Sequence, residues 1–338
     1  MKRALMPLIL GLAVSAGTPA QDKRTYQVIG RILQSDGTPF LGADPVVFLY
    51  GAHNPFHGQT HVRPDGSFRF SKIAPGTYTL SAAVPRLGEM RKTIEVGPAF
   101  ADSKGRVVAD ITFDRSVSWA KMDTVSAAEL SVSEDARREF RKAQDCLSRR
   151  DVPGAIERLT KAVEVSPQFA IAWNTLGTIA YQTKRFDQAE GYFRRALQED
   201  PDLYAPLVNL GGALMALKRD KEALDVNLNA VKAMPGDALA HAQLGKTYYY
   251  LGRLDDAETH LRRAKTLDPS HFSYPQLTLL EIYVKRREVR AAIAETEEFL
   301  KLHPDSEFVP QLRKFLEAAR AHLSASPEAS GASPVREP

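Results

Sequence analysis

The chain has 338 residues, of which 43% are hydrophobic and 25% are charged, an ordinary composition for a globular protein with a sizeable core. Its 45 lysines and arginines are balanced by 41 aspartates and glutamates without long runs of either sign. The clustered basic face of nucleic-acid-binding proteins is therefore missing, and we expect no nucleic-acid partner. The single cysteine, Cys146, excludes an intramolecular disulfide and a cysteine-rich zinc site, and we expect a buried thiol.

Residues 1–20 have the order of a secretory signal peptide. Two basic residues precede a short apolar run, and the small residues from Gly17 to Ala20 offer a cleavage site before Gln21. The run is shorter than the ~20 apolar residues of a spanning helix, although an uncleaved membrane anchor is the alternative. We expect an exported bacterial protein, periplasmic, secreted or in the cell envelope, with no membrane-spanning helix after cleavage.

Residues 21–118 have the alternating pattern of short β-strands. Runs rich in β-branched and aromatic residues are separated by turn signals, of which Asp65-Gly66 is the strongest because glycine supplies the positive φ of a tight turn. Six or seven such strands predict a small antiparallel β-sandwich. The predicted strands are Tyr26 to Leu33, Val46 to Tyr50, Ser67 to Phe70, Thr77 to Ala83, Lys92 to Val96 and Val107 to Phe113.

Two motifs of this segment, Asp65-Gly66-Ser67-Phe68-Arg69-Phe70 and Ile73-Ala74-Pro75-Gly76-Thr77-Tyr78, carry a family resemblance. With them, the segment resembles the carboxypeptidase regulatory-like, transthyretin-type β-sandwich. The resemblance implies an accessory domain of envelope, surface or secreted proteins that has no catalytic machinery of its own.

Residues 119–133 are predicted to link this sandwich to a repeat array over residues 134–323, with Ser133 capping the first helix. Residues 324–338 are of low complexity and predict a disordered tail. Within the array, prolines recur at intervals of 34, 34, 34 and 35 residues, and alanines keep the same period. The prolines are Pro167, Pro201, Pro235, Pro269 and Pro304.

Each repeat unit predicts two helices, because its apolar residues fall at helical spacing and its proline ends the second helix. Glycines at Gly177, Gly211 and Gly245 would let the second helix of each pair approach the first closely. The pattern Trp173-x2-Leu176-Gly177, then Ala189-x3-Phe193 and Pro201, resembles the 34-residue tetratricopeptide repeat. The predicted fold is multidomain: a small antiparallel β-sandwich, then an all-α tetratricopeptide solenoid of about five helix pairs with a capping helix.

Catalytic signatures are absent from the sequence, which has no His-Glu-x-x-His, no Gly-x-Ser-x-Gly and no phosphate-binding Gly-x4-Gly-Lys motif. We therefore predict that the protein is not an enzyme and needs no cofactor and no metal. A metalloenzyme built on His53, His57 and His61 is a further hypothesis, but steps of four residues on extended chain span up to ~13 Å, too far for shared ligation.

The flank of the first helices beside their apolar stripe is predicted to line the concave surface of the solenoid. Its tyrosine, asparagine, methionine and lysine side chains could satisfy the backbone of a bound peptide and pack against its side chains. The candidate binding residues are Asn174, Thr178, Tyr181, Val208, Asn209, Met215, Lys246, Tyr249 and Tyr250.

Two functional hypotheses follow from these features. In the first, the protein is a non-enzymatic scaffold or adaptor that holds a peptide or helix of a protein partner in this concave groove. In the second, the β-sandwich binds an envelope glycan or an outer-membrane protein, and the repeat array is a spacer.

Overall fold

The computed structural model describes residues 24–40, 45–84, 88–113 and 127–324. The predicted signal peptide, most of the predicted link and the predicted tail beyond Ser324 lie outside the described residues. The structure divides into two compact units, one over residues 22–273 and one that contains the residues from Tyr274 onward.

The first unit begins with two four-stranded β-sheets. One has the order β4-β1-β7, with β8 also pairing with β1, and the other has the order β3-β2-β5-β6. The strands are β1 Tyr26–Gln34, β2 Val46–Gly51, β3 His57–His61, β4 Ser67–Ile73, β5 Gly76–Val84, β6 Gly88–Val96, β7 Arg106–Val108 and β8 Ile111–Phe113.

Alternate residues of both sheets form one apolar core, as a half-buried sheet requires. Val28 of β1, Leu49 of β2 and Leu80 of β5 are completely buried in it. The predicted tight turn is confirmed, because Gly66 has a φ of 80° and the Asp65 carboxylate accepts from the Ser67 N–H. The two facing sheets therefore form the predicted β-sandwich.

Two features of the sandwich differ from the predicted strands. Residues 57–61 form an additional strand, and the run from Val107 to Phe113 splits into β7 and β8, both parallel to β1. The split has a local cause: the Asp110 side chain accepts from the Arg31 N–H at 2.8 Å, while the Ala109 N–H donates to the Ile29 carbonyl at 2.8 Å. The Asp110 carboxylate thus takes the place of one backbone carbonyl in the hydrogen bonding between β1 and this segment.

The helical part follows the predicted periodicity. After a short helix α1, Ala127–Leu130, the first unit contains four helix pairs, and the second unit contains one more pair and a final helix. The pairs are α2 Glu134–Ser148 with α3 Val152–Val165, α4 Ala170–Gln182 with α5 Phe186–Glu199, α6 Tyr204–Ala216 with α7 Asp220–Ala233, α8 Ala238–Tyr250 with α9 Leu254–Leu267, and α10 Pro275–Arg286 with α11 Val289–Leu302, followed by α12 Val309–Ser324.

Local signals set the helix ends. The Ser133 hydroxyl accepts from the Ala136 N–H, so the predicted cap of α2 is confirmed. Each second helix stops two residues before its proline; α5, for example, ends at Glu199 before Pro201. The residue before a proline is disfavoured in helical conformation, which places these boundaries.

Close packing in three of the helix pairs depends on the predicted glycines. A methyl group at Gly177 would lie 2.5 Å from the ring of Phe193, and one at Gly245 would lie 2.7 Å from Leu261. Phe193 and Leu261 are buried, so they have little room to move away. In these two pairs the close approach of the helices therefore requires a residue without a side chain on the first helix.

Between neighbouring pairs of the first unit, each second helix packs against the next first helix, and the first helices α4, α6 and α8 also contact one another in sequence. These three helices consequently lie side by side on one face of the array. Among the described residues, no helix combines the length and the apolar character needed to cross a membrane.

Burial has an electrostatic consequence at His57 on β3. Its ring stacks on that of Tyr50, with centroids 4.9 Å apart, and its Nε2 is buried without a hydrogen-bond partner among the described residues. Desolvation lowers the pKa of His57 from 6.5 to about 4. The folded protein therefore binds this proton less readily than the unfolded chain does.

The glycine contacts generate a paired prediction. Gly177→Ala should lower the free energy of unfolding by about 1–2 kcal/mol, because overpacking against Phe193 outweighs the better helix propensity of alanine. Gly191→Ala is the matched control, since Gly191 lies on α5 with no other heavy atom within 4 Å of the added methyl. That variant should be more stable by about 0.5–1 kcal/mol. Denaturant unfolding measures both, and a stabilised Gly177→Ala would contradict the packing described here.

A second prediction concerns pH. Because the pKa of His57 is lower in the folded state, the stability it contributes is complete above about pH 6.5 and is lost as the pH falls towards 4. The loss from this group should be on the order of 2 kcal/mol at pH 4.5. His57→Phe keeps an aromatic ring but cannot titrate, so its unfolding free energy should fall less between pH 7 and pH 4.5. Equal pH dependence of the two proteins would contradict the assigned burial.

Candidate functional site

The candidate binding residues lie on the three first helices that are adjacent in space. Asn174, Thr178 and Tyr181 are on α4, Val208, Asn209 and Met215 on α6, and Lys246, Tyr249 and Tyr250 on α8. We call the surface formed by these three helices the inner face.

Three of the polar candidates form one hydrogen-bonded group across α4 and α6. The Asn209 Nδ2 donates to the Asn174 Oδ1 at 3.0 Å and to the Thr178 Oγ1 at 3.5 Å, and the Thr178 hydroxyl donates to the Asn174 carbonyl at 3.0 Å. We call these residues the polar ladder. Among the described residues, the Asn174 Nδ2 and the Asn209 Oδ1 have no partner, so the ladder offers one amide donor and one amide acceptor to a ligand.

Aromatic side chains stand at the carboxyl ends of α4 and α8. Tyr181 is 38% exposed and lies 5.5 Å from the Phe186 ring, while Tyr250 is 51% exposed and lies 5.7 Å from the Tyr249 ring. The Lys218 ammonium is 5.3 Å from the Tyr250 centroid, within cation–π range. Large tyrosine rings left this accessible are typical of protein-binding surfaces.

Two candidates have a different role from the one predicted. Val208 is only 2% exposed and packs in the apolar cluster that contains Ala230 and Ala240, so it is a core residue that a ligand could not reach. Met215 is half-buried against the cluster around Phe193 and α7. On α6 the buried surface is wider than the apolar spacing of the sequence indicates, so the predicted flank wrongly includes these two side chains.

Lys246 is occupied within the chain. Its Nζ donates to the Ser273 carbonyl at 2.5 Å, which ties the segment after α9 to α8. This segment, residues 268–274, is longer than the segment between α7 and α8, residues 234–237. The interval of 35 residues from Pro269 to Pro304, instead of 34, indicated only one of the added residues. The ammonium therefore positions the chain at the inner face as well as adding positive charge there.

The third helix pair contains a buried polar side chain at a position where the preceding pair has Phe193. Asn227 is completely buried, and its Nδ2 donates to the Thr247 hydroxyl of α8 at 2.9 Å. The Asn227 Oδ1 has no partner among the described residues and faces Gly211. The hydrogen bond from Asn227 to Thr247 thus joins two neighbouring helix pairs at a position where Phe193 provides aromatic packing in the preceding pair.

Sequence reasoning missed that the sandwich reaches this surface. Gln182, the last residue of α4, donates from its Nε2 to the Gly51 carbonyl of β2 at 2.9 Å. Nothing in the period or composition of the repeats indicated this contact, because the two residues are 131 positions apart.

The three histidines considered for metal binding have separate environments. His57 stacks on Tyr50, and His53 meets the edge of Phe272 at 5.9 Å. In the part of the chain that the structure describes, no three His, Cys, Asp or Glu side chains are grouped to hold a metal ion. The single cysteine, Cys146, is buried and 9% exposed, as predicted.

Comparison with family models identifies the repeats. Models described as tetratricopeptide repeat match residues 136–204, 182–228 and 238–271. The matched segments are therefore tetratricopeptide repeats, and the predicted repeat type is confirmed.

Similar proteins are known from both curated sequences and solved structures. The chain is 26% identical to protein O-mannosyl-transferase Tmtc3 of Drosophila melanogaster over 174 residues, 51% of this chain and 19% of that protein. It is 32% identical to protein bimA of Emericella nidulans over 100 residues, 30% of this chain and 12% of that protein. The chain thus spans about a fifth or less of the length of these two relatives.

Among solved structures, MamA residues 41 to the end from Desulfovibrio magneticus RS-1 has a TM-score of 0.46 at 22% identity, covering 52% of this chain and 99% of that one. The type IV pilus biogenesis factor PilW has a TM-score of 0.48 at 19% identity, covering 59% of this chain and 96% of that one.

Proposed function

We propose that the protein is an exported, non-enzymatic scaffold or adaptor that binds a segment of a protein partner along the inner face of its tetratricopeptide repeats. The observation that carries this proposal is the pairing of two ligand chemistries on adjacent first helices. The polar ladder provides hydrogen-bonding groups, and Tyr181 and Tyr250 provide exposed aromatic surface.

These two chemistries suit a peptide better than a small metabolite. An extended peptide or the end of a helix presents unpaired backbone N–H and C=O groups, which the free amide groups of Asn174 and Asn209 can satisfy. Aromatic or long aliphatic side chains of the same segment can pack on Tyr181 and Tyr250. Rigid tyrosines contribute contact area at low cost in side-chain entropy, which favours recognition.

The match to an O-mannosyl-transferase does not alter this proposal. It covers 19% of that protein, and the inner face here presents amides, tyrosines and one lysine rather than a grouped set of titratable side chains. Binding by complementary surfaces is what such a face can perform.

A second candidate function is favoured by one observation on the sandwich. Phe48, Tyr50 and His57 form an aromatic row on the outward-facing side of the β3-β2-β5-β6 sheet, with centroid spacings of 5.9 and 4.9 Å. Tyr50 is 37% exposed. The exposed Tyr50 ring of this row could stack on a ring of an envelope glycan, and loss of glycan retention by the full chain carrying Tyr50→Ala would support it.

Partner binding at the inner face can be tested by photo-crosslinking in native cells. A photoreactive residue at position 250 should capture a partner, and one at Leu228 should not. Leu228 is the matched control because it is also exposed, at 42%, but lies on the second helix α7. Mass spectrometry of the products identifies the partner, and identical products from both positions would contradict binding at the inner face.

The exposed tyrosines should carry a large share of the affinity. Tyr181→Ala together with Tyr250→Ala should weaken binding of the captured partner at least tenfold, since buried aromatic anchors dominate most interfaces. The melting temperature should change little, because both rings are substantially exposed in the free protein. Titration calorimetry with the purified partner measures the first effect, and unchanged affinity would remove the inner face from consideration.

Export rests on the sequence of the first twenty residues and has a direct test. The intact mass of the protein from its native host should correspond to a chain that starts at Gln21, and Ala20→Arg should abolish processing because the cleavage site needs small residues. Recovery of the full-length chain from the cytoplasm would contradict the proposal.

A further inference from the structure

The loop between β2 and β3 contacts the helical repeats at three places. The Gly51 carbonyl accepts from Gln182 of α4 at 2.9 Å, and the His53 ring meets the edge of Phe272 at 5.9 Å. The guanidinium of Arg150, at the turn after α2, lies 5.6 Å from the centroid of Phe56. We call residues 51–56 the docking loop.

One of these contacts lies on the inner face, and two lie beside it. Gln182 ends α4, whereas Phe272 precedes Ser273, which is tied to Lys246 of α8. Gly51 and His53 are two residue steps apart, a distance of at most ~7 Å along the chain. The loop therefore crosses from α4 to the segment held by α8, and α6 lies between these helices.

A further hydrogen bond holds the sandwich against the same segment. The backbone N–H of Thr93, on the edge strand β6, donates to the Asp268 Oδ2 at 3.0 Å. Thr93 is 3% exposed, so a carboxylate of the repeats satisfies a buried edge N–H that would otherwise be costly. The docking loop and β6 thus both reach the end of the fourth helix pair.

The docking loop is shaped by its own contacts. The Gly51 N–H donates to the Phe56 carbonyl at 2.9 Å, and Phe56 is 8% exposed with its ring edge-on to Tyr78. A methyl group at Gly51 would lie 2.4 Å from the Asn54 carbonyl oxygen. These contacts fix the positions of the Gly51 carbonyl, the His53 imidazole and the Phe56 ring. A bound peptide could present the same kinds of group to the repeats.

We infer that the docking loop is an internal ligand of the surface formed by Gln182, Phe272 and Arg150, so that a partner segment that extends from the inner face onto this surface must displace it. This inference rests on the proposed function. It also specifies the partner chemistry: an extended segment with a free backbone carbonyl for Gln182, an aromatic or imidazole ring for Phe272 and a second aromatic ring for Arg150.

The docking loop supplies the probe for a test. A fluorescent peptide with the sequence of residues 48–59 is titrated, by anisotropy, into the full chain from Gln21 onward. The variant His53→Ala/Phe56→Leu weakens the hold of the internal loop while leaving Gln182, Phe272 and Arg150 intact. It should bind the peptide at least tenfold more tightly than the wild type, because the internal competitor is weakened.

Two controls accompany this comparison. Adding Phe272→Ala to the double variant should return the affinity to the wild-type value or below, because the shared contact is lost. His61→Ala alters an exposed histidine of β3 and should bind like the wild type. Since Phe56 packs in the sandwich, His53→Ala alone provides a milder variant, expected to gain at least threefold.

Equal peptide affinity of the wild type and both loop variants would overturn the inference, and so would a lack of binding by all of them. The crosslinking test at position 250 separates this failure from that of the proposed function. Equal partner capture by the wild type and His53→Ala would leave the scaffold role standing and remove the internal ligand.

Discussion

The close contact between the two helices of each pair is the constraint on which the rest of the helical region depends. Gly177 and Gly245 allow the rings and branched side chains of the second helix to enter the space where a first-helix side chain would stand. One helix pair has two further apolar flanks and cannot bury them alone, so the pairs must stack. Stacking in turn brings α4, α6 and α8 side by side and creates the inner face.

The inner face carries amide side chains and tyrosine rings next to each other. The amides of Asn174 and Asn209 bond to each other across two helices, which fixes their orientation before any ligand arrives. The tyrosines at positions 181 and 250 stay accessible at the ends of the helices. A pre-oriented polar group beside a rigid aromatic surface reduces the entropy lost on binding and suits a protein segment.

The sandwich meets the repeats at the border of the inner face. Gln182 of α4 and Phe272 of the segment after α9 are far apart in the chain, and both contact the docking loop. Each contact is a single hydrogen bond or ring pair, worth roughly 0.5–1.5 kcal/mol. Interactions of that size hold the docking loop in place, yet a partner segment that makes similar interactions can replace them. The contacts of the loop would therefore not prevent a partner from binding.

The sequence by itself determined the repeat architecture, the ends of the second helices and the glycine positions at which two helices approach closely. Period, apolar spacing and proline position are local properties that every unit repeats, and Ser133 and Gly66 act through their nearest neighbours. It also indicated most of the strands. The strand at residues 57–61 and the split after Val108 escaped it, because pairing with β2 and the side chain of Asp110 decide them. Only the tertiary structure decided that Val208 is buried, that Lys246 holds Ser273 and that Gly51 meets Gln182. Those contacts join residues from different repeats or different sheets, and no local pattern encodes a distance between them.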